Sequence, residues 1–368
     1  MKRWPYRLIA PSEDLLHLDV LRLIASVAIV GWHSVEYFAP VIQRAQIANR
    51  FIGLTLFVDL FFVISGYIIS HVYQHRVHSR AGFITFIQRR IGRLLPLHLV
   101  TLGTSIAMWS VLLLVGASSN HIPSFSPACI LETAFLLHAL LPCGNQIYFN
   151  FPSSSISAEM VLYAIFPIVA LVATKMRFAL IGITAALLLG LLTFETNINQ
   201  WVDLPPVLRA CPSFLVGCCL FNHRAMVGRL PAPRLLFSIA LGTTVCAISS
   251  GAPLQMILGL MYVTVASAIS SDLTRRNSGV VRWLAPLGQL TYSIYMWHIL
   301  FIFVFLNILG DKILQATYLT MGLLAITCYV LTFVWSYLSY FLIESPARLK
   351  VDALKVQDAL VFGRRFSS

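Results

Sequence analysis

The chain has 368 residues, of which 58% are hydrophobic and only 11% charged. A soluble protein carries roughly 25% charged residues, and a disordered chain needs high charge with few apolar residues, so both classes are excluded. Lysine and arginine number 26 against 14 aspartates and glutamates, a net charge of +12, and the placement of that excess separates a membrane signal from a nucleic-acid one.

The first residues are basic at Lys2, Arg3 and Arg7 but continue into Glu13, Asp14 and Asp19. The first long apolar run, about 19–38, is too long for a cleaved signal and has no small-residue cleavage site behind it, so it reads as a retained span. A helix needs about 20 apolar residues to cross a hydrocarbon core. By that measure ten spans are predicted, near 19–38, 52–73, 94–117, 156–174, 178–193, 206–221, 235–249, 254–271, 287–307 and 316–342. The stretch Cys129 to Leu141 is apolar but only 13 residues long, which suits a re-entrant or interfacial helix. The expected fold is an all-α polytopic membrane protein of about ten transmembrane helices plus that short helix. A segment 1–18 precedes the membrane domain 19–346, and a tail 347–368 follows it.

Lysine and arginine in short loops set orientation. The clusters Lys2/Arg3/Arg7, Arg76/Arg80/Arg89/Arg90/Arg93, Lys175/Arg177, Arg224/Arg229/Arg234, Arg275/Arg276/Arg282 and the tail share one side with both termini, predicted cytoplasmic; only Arg44, Arg50, Arg209 and Lys312 fall on the other. The basic excess is therefore mostly a topology signal, and no nucleic-acid partner is needed to explain it. Of seven cysteines, five lie in or near spans and read as packing residues. Cys129 and Cys143 flank the short apolar segment on the non-cytoplasmic side, where oxidation is allowed, which leaves a disulfide between them open. No pair of cysteines has metal-ligand spacing, and no metal is expected.

Ionisable groups inside spans are costly, so each is a functional candidate. At about 100° per residue, Asp19, Arg22, Ser26, His33 and Glu36 fall on one stripe of the first span. Arg22 suits either a snorkelling anchor or a site residue. His33 suits either a hydrogen-bonded core position or a base whose tautomer a carboxylate one turn away, Glu36, would fix. The run Gln88 to Pro96 places Arg89, Arg90 and Arg93 together, either as a topology device or as guanidinium forks for phosphate. Asp59 precedes the small pair Ser65-Gly66, which allows close helix contact. Glu159 follows a serine run, Ser153 to Ser157, and Tyr292, Tyr295 and His298 share one face of the ninth span.

Together these segments resemble the acyltransferase-3 family of membrane-bound acyltransferases. The resemblance rests on Leu18-Asp-Val-Leu-Arg22, the Arg-x10-His arrangement of Arg22 and His33, Phe61-Phe-Val-Ile-Ser-Gly-Tyr67 and Arg89-Arg-Ile-Gly-Arg93-Leu-Leu-Pro96. It continues through Leu287-Gly-Gln-Leu-Thr-Tyr-Ser-Ile-Tyr-Met-Trp-His298 and Ile343-Glu-Ser-Pro346, so it runs over about 15–346. One departure is visible: the family's Trp-Ser-Leu-Ser-x-Glu stretch reads Ser154-Ser-Ile-Ser-Ala-Glu159, with serine for tryptophan. The esterase-like domain fused to some relatives is not expected within these residues.

The resemblance implies acyl transfer, usually of acetyl, from cytoplasmic acyl-coenzyme A to a hydroxyl of an envelope or exported carbohydrate at a bacterial inner membrane. His33, Arg22, Glu36 and Glu159 would form the catalytic set. Arg89, Arg90, Arg93, Ser65, Tyr295 and His298 would bind the donor. By helix rise His33 lies about 21 Å above Asp19, so the donor arm would reach inward towards an acceptor arriving from outside. His33 would be the general base, with an acyl-histidine intermediate as the competing chemistry. Lipopolysaccharide, exopolysaccharide, a lipo-oligosaccharide and a small glycoside all suit such a scaffold as the carbohydrate or glycolipid acceptor. The rival reading from another class is a proton-coupled transporter or flippase.

Overall fold

The structure is a computed structural model that describes residues 8, 15–38, 43–115, 122–141, 143, 148–194, 205–274 and 278–351. The segment 1–18 falls mostly, and the tail from 352 onward wholly, outside the described residues. Every regular element among the described residues is helical.

Ten long apolar helices follow the predicted order: α1 (Leu16–Val35), α2 (Phe57–Tyr73), α3 (Arg80–Leu114), α4 (Ser153–Lys175), α5 (Arg177–Phe194), α6 (Pro206–Asn222), α7 (Pro233–Ser250), α8 (Leu254–Leu273), α9 (Thr291–Ile302) and α10 (Tyr318–Ser339). The α9 helix continues in π-helical turns to Ile313, and α10 does so to Glu344. Eight segments are long and apolar enough to cross a membrane, while Arg177–Gly190 and Pro206–Asn222 are shorter apolar helices. The short apolar stretch forms only the helix Pro127–Ala134, started by Pro127 and by Ser126, whose side chain accepts from the Cys129 amide. It does not cross, and Cys129 and Cys143 are joined by a disulfide. On α10, Leu319, Leu323, Ile326, Val330 and Val334 are exposed at helical spacing, the stripe that a span turns to lipid.

The α3 helix is predicted to begin near residue 94 but starts at Arg80, because Ser79 caps it by accepting from the Gly82 amide at 3.0 Å. Its 35 residues extend about 52 Å, well beyond a core of about 30 Å. The added turns carry Arg89, Arg90 and Arg93.

The start of α1 has no cap of its own, since its flanking residue is Leu15. Asp272, at the end of α8, supplies one: its carboxylate accepts from the His17 amide at 2.9 Å, the Leu18 amide at 3.3 Å and the His17 ring at 2.7 Å. Orphan amides at a helix N-terminus favour such a carboxylate. Replacing Asp272 with alanine is expected to cost about 1–2 kcal/mol, the usual value of a cap. Asp272→Asn, which keeps an acceptor oxygen, is expected to cost less. Thermal unfolding in detergent checks the order, and equal stability of the alanine variant and the parent would remove the capping role.

The α2 and α6 helices cross where Gly66 and Gly217 face each other's backbones. Near the crossing, Arg209 of α6 donates to the fully buried Asp59 of α2 at 2.6 and 3.0 Å and to the Thr55 carbonyl at 2.8 Å. The sequence read the two residues separately; packing makes them one ion pair. A 3-10 turn, Ala285–Leu290, seats Gly288 directly on the Asp19 backbone and delivers α9 alongside α1.

Candidate active site

One polar cavity opens between α1, α2, α3, α4 and α9, and its wall includes Arg22, Ser65, Arg90, Arg93, Glu159 and Tyr295. Six of the ten predicted site residues therefore meet around one space, although they come from five helices. Arg22 is paired with Asp19 at 3.7 Å. Arg90 is held between two rings, its guanidinium 5.3 Å from the centroid of Tyr73 and 5.8 Å from that of Tyr163, and it donates to the Tyr73 hydroxyl at 3.3 Å. Arg89 lies outside the cavity wall and reaches Tyr73 as well. The wall thus carries three guanidiniums, Arg22, Arg90 and Arg93, against the one carboxylate of Glu159. The lining also includes apolar side chains of α2, Val58, Phe61, Phe62, Ile64 and Ile68. A space lined by both guanidiniums and apolar side chains fits an anionic headgroup carrying a short acyl arm.

Glu159 is fixed by two donors on one oxygen. Ser65 donates to its Oε1 at 2.6 Å, the Tyr163 hydroxyl donates to the same oxygen, and the two hydroxyl oxygens are 3.1 Å apart. Ser65, expected at the donor, is in this structure the partner of Glu159. The sequence reading missed Tyr163, although a signal existed: it stands four residues after Glu159, one turn along the same helix face.

The histidines lie beyond Tyr295. The His33 ring packs on His298 with centroids 5.3 Å apart and on Phe151 at 6.0 Å. His298 is fully buried, and its Nδ1 sits 2.8 Å from the Tyr295 carbonyl oxygen. Tyr295 belongs to both places: its ring lines the cavity and lies 5.8 Å from that of His298. The Tyr295 hydroxyl is held by Ser155 Oγ at 2.6 Å.

Glu36 is placed elsewhere. The α1 helix ends at Val35 and tightens into a 3-10 turn over Glu36–Phe38. The charged neighbours of Glu36 are Arg44 and Asp311, which form their own bidentate pair at 2.6 Å and 2.6 Å. Among the described residues the imidazole beside His33 is that of His298.

The serine run has a structural task. Ser153 meets His138 Nε2 at 3.1 Å, while Ser157 donates to the Leu136 carbonyl and accepts from the Ala139 amide, at 2.6 and 3.0 Å. It pins the turn after Pro127–Ala134 onto the start of α4. Ser154, standing where the family carries tryptophan, donates to the Phe151 carbonyl at 3.0 Å.

A bundle of apolar helices with a guanidinium-lined cavity next to a histidine pair, His298 buried and His33 half-buried, defines an integral membrane protein with a polar site inside it. Over residues 15–341 the chain matches the acyltransferase-3 model, described as an acyltransferase domain; it belongs to that family and is a membrane acyltransferase. Protein 2 of the picA locus of Rhizobium radiobacter is 30% identical over 110 residues, 29% of this chain and 52% of its own length. The exopolysaccharide production protein ExoZ of Rhizobium meliloti (strain 1021) is 25% identical over 66% of this chain and 74% of its own. BcsY of Komagataeibacter xylinus, whose name proposes a membrane-bound transacylase, is 27% identical over 78% of this chain and 73% of its own. The chain thus spans about half the length of the first relative and about three quarters of the other two. No solved structure matches it.

Proposed function

We propose that the protein moves an acyl group, acetyl in the first instance, from cytoplasmic acyl-coenzyme A to a hydroxyl of an exported polysaccharide. In this reading it sits in a bacterial inner membrane with both termini in the cytoplasm. The observation that carries the proposal is the cavity itself, three guanidiniums converging from two helices onto a space walled by apolar α2 side chains. Coenzyme A brings several phosphate charges that cannot enter lipid, and guanidinium forks are the side chains suited to them. Arg90 and Arg93, with Arg89 behind them, hold the donor's phosphates. Arg22 meets the donor deeper in, and Ser65, Tyr295 and His298 guide its thioester arm. Glu159, held by Ser65 and Tyr163, shapes the wall beside them. The exopolysaccharide class is taken from the name of ExoZ.

His33 is the general base. It takes the proton of the acceptor hydroxyl as that oxygen attacks the thioester carbonyl. The C–O bond forms, the C–S bond breaks, and the proton passes from His33 to the departing thiolate.

The experiment is binding of acetyl-coenzyme A to the purified protein and to an Arg90→Ala/Arg93→Ala variant. Each charge-assisted contact contributes about 1.5–3 kcal/mol, so the double variant is expected to bind at least 100-fold more weakly. Absence of binding by the folded parent would sink the coenzyme A reading, and undiminished binding by the variant would move the donor site away from α3.

A further inference from the structure

His298 carries a feature that the donor-binding role leaves unused. Its Nδ1 lies 2.8 Å from the Tyr295 carbonyl oxygen. A carbonyl oxygen only accepts, so the proton of the neutral ring is on Nδ1 and Nε2 is a bare acceptor. That Nε2 is buried and, among the described residues, has no hydrogen-bond partner. Buried polar atoms are seldom left in that state without a reason, and the ring next to it is His33, with centroids 5.3 Å apart and planes inclined at 44°. At that separation one N–H···N bond closes when the His33 ring turns its edge to the fixed His298 Nε2. The charged groups that act on Glu36, the side chain expected to hold the imidazole, are Arg44 and Asp311.

We propose that His298 orients the general base: its bare Nε2 accepts the N–H of one His33 nitrogen and leaves the other His33 nitrogen unprotonated towards the acceptor hydroxyl. The order of groups is Tyr295 carbonyl, His298 Nδ1–H, His298 Nε2, His33 N–H, then the basic His33 nitrogen. This inference rests on the acyl-transfer reading above. In the reaction the hydroxyl proton goes to the bare His33 nitrogen, C–O forms, C–S breaks, and the proton leaves on the coenzyme A thiol. His298 keeps its own proton throughout and is therefore a positioning residue. The arrangement also ties base to donor, because Tyr295, whose carbonyl locks the tautomer, is itself part of the cavity wall.

The test uses the full-length protein in detergent, acetyl-coenzyme A as donor and alkali-deacetylated exopolysaccharide from the producing cells as acceptor, with thiol release as the readout. His298→Ala is expected to lower kcat about 100-fold. His298→Gln, whose amide ends near the Nε2 position, is expected to recover at least tenfold of that loss. His298→Asn, whose amide ends near Nδ1, is expected to recover none. A His33→Ala/His298→Ala protein is expected to be no slower than His33→Ala alone, because residues that act as a unit are not additive. Equal rates for the Gln and Asn variants would overturn the proposal, and so would a double variant slowed by the product of the two single effects. Either result would leave His33 as base. A His33→Ala protein at the parental rate would instead bring down the transfer mechanism itself, and this inference with it.

Discussion

Replacing His33 with alanine is expected to lower acyl transfer by at least 100-fold, and by as much as about 10⁴-fold, the range of general acid–base catalysis. Acetyl-coenzyme A binding is expected to stay intact. The separation of the two readouts follows from the geometry. The guanidiniums of Arg22, Arg90 and Arg93 line the cavity, whereas His33 does not and lies with His298 beyond the Tyr295 ring. The variant removes a half-buried ring packed on Phe151 and His298, so some stability is lost along with the chemistry, and thermal unfolding has to be measured beside the rate. Transfer within tenfold of the parent, in protein that unfolds at the parental temperature, would remove His33 from the mechanism. Loss of donor binding in the same variant would mean that the histidine pair and the cavity are one site rather than two adjoining ones.

How much of this was legible beforehand depends on what kind of signal each residue left. The spans were readable because about 20 consecutive apolar residues carry their own meaning in a membrane, and the helices follow them closely. The cavity was half readable. Arg22, Arg90, Arg93, Glu159, Ser65 and Tyr295 each stood out as polar groups in or beside apolar runs, but nothing in the sequence says that five different helices bring them together. Helical periodicity placed Glu36 one turn from His33, but it could not show Arg44 and Asp311, the charged groups that act on Glu36 from other elements. The pairings Asp59–Arg209 and His17–Asp272 join residues 150 and 255 positions apart, beyond any periodicity argument. Tyr163 is a different case, since the spacing from Glu159 was available and only the carboxylate was followed.

The second large effect concerns the crossing of α2 and α6. A methyl group at Gly66 would stand 2.0 Å from the Phe214 carbonyl oxygen, and one at Gly217 would stand 2.0 Å from that of Val63 and 2.7 Å from the Tyr67 nitrogen. These obstacles are backbone atoms, so no side chain can swing aside and the helices have to separate. Small residues serve that purpose in membrane helix pairs, where close backbone approach replaces the hydrophobic drive. Overpacking alone costs about 1–3 kcal/mol. Here separation also stretches the Arg209–Asp59 pair, whose contact is 2.6 Å with Asp59 fully buried, and breaking a buried pair costs about 3–5 kcal/mol. Gly66→Ala and Gly217→Ala are each expected to lose several kcal/mol, seen as a marked fall in unfolding temperature or as failure to purify a single species. Among the described residues Gly259 has nothing within 4 Å of its would-be methyl, so Gly259→Ala is expected to be neutral or to gain up to about 1 kcal/mol from helix propensity. A Gly66→Ala protein as stable as Gly259→Ala would contradict the close crossing. Since Gly66 directly follows Ser65, the hydroxyl that holds Glu159, Gly66→Ala protein that does fold is also expected to transfer acyl groups more slowly than its stability alone would explain.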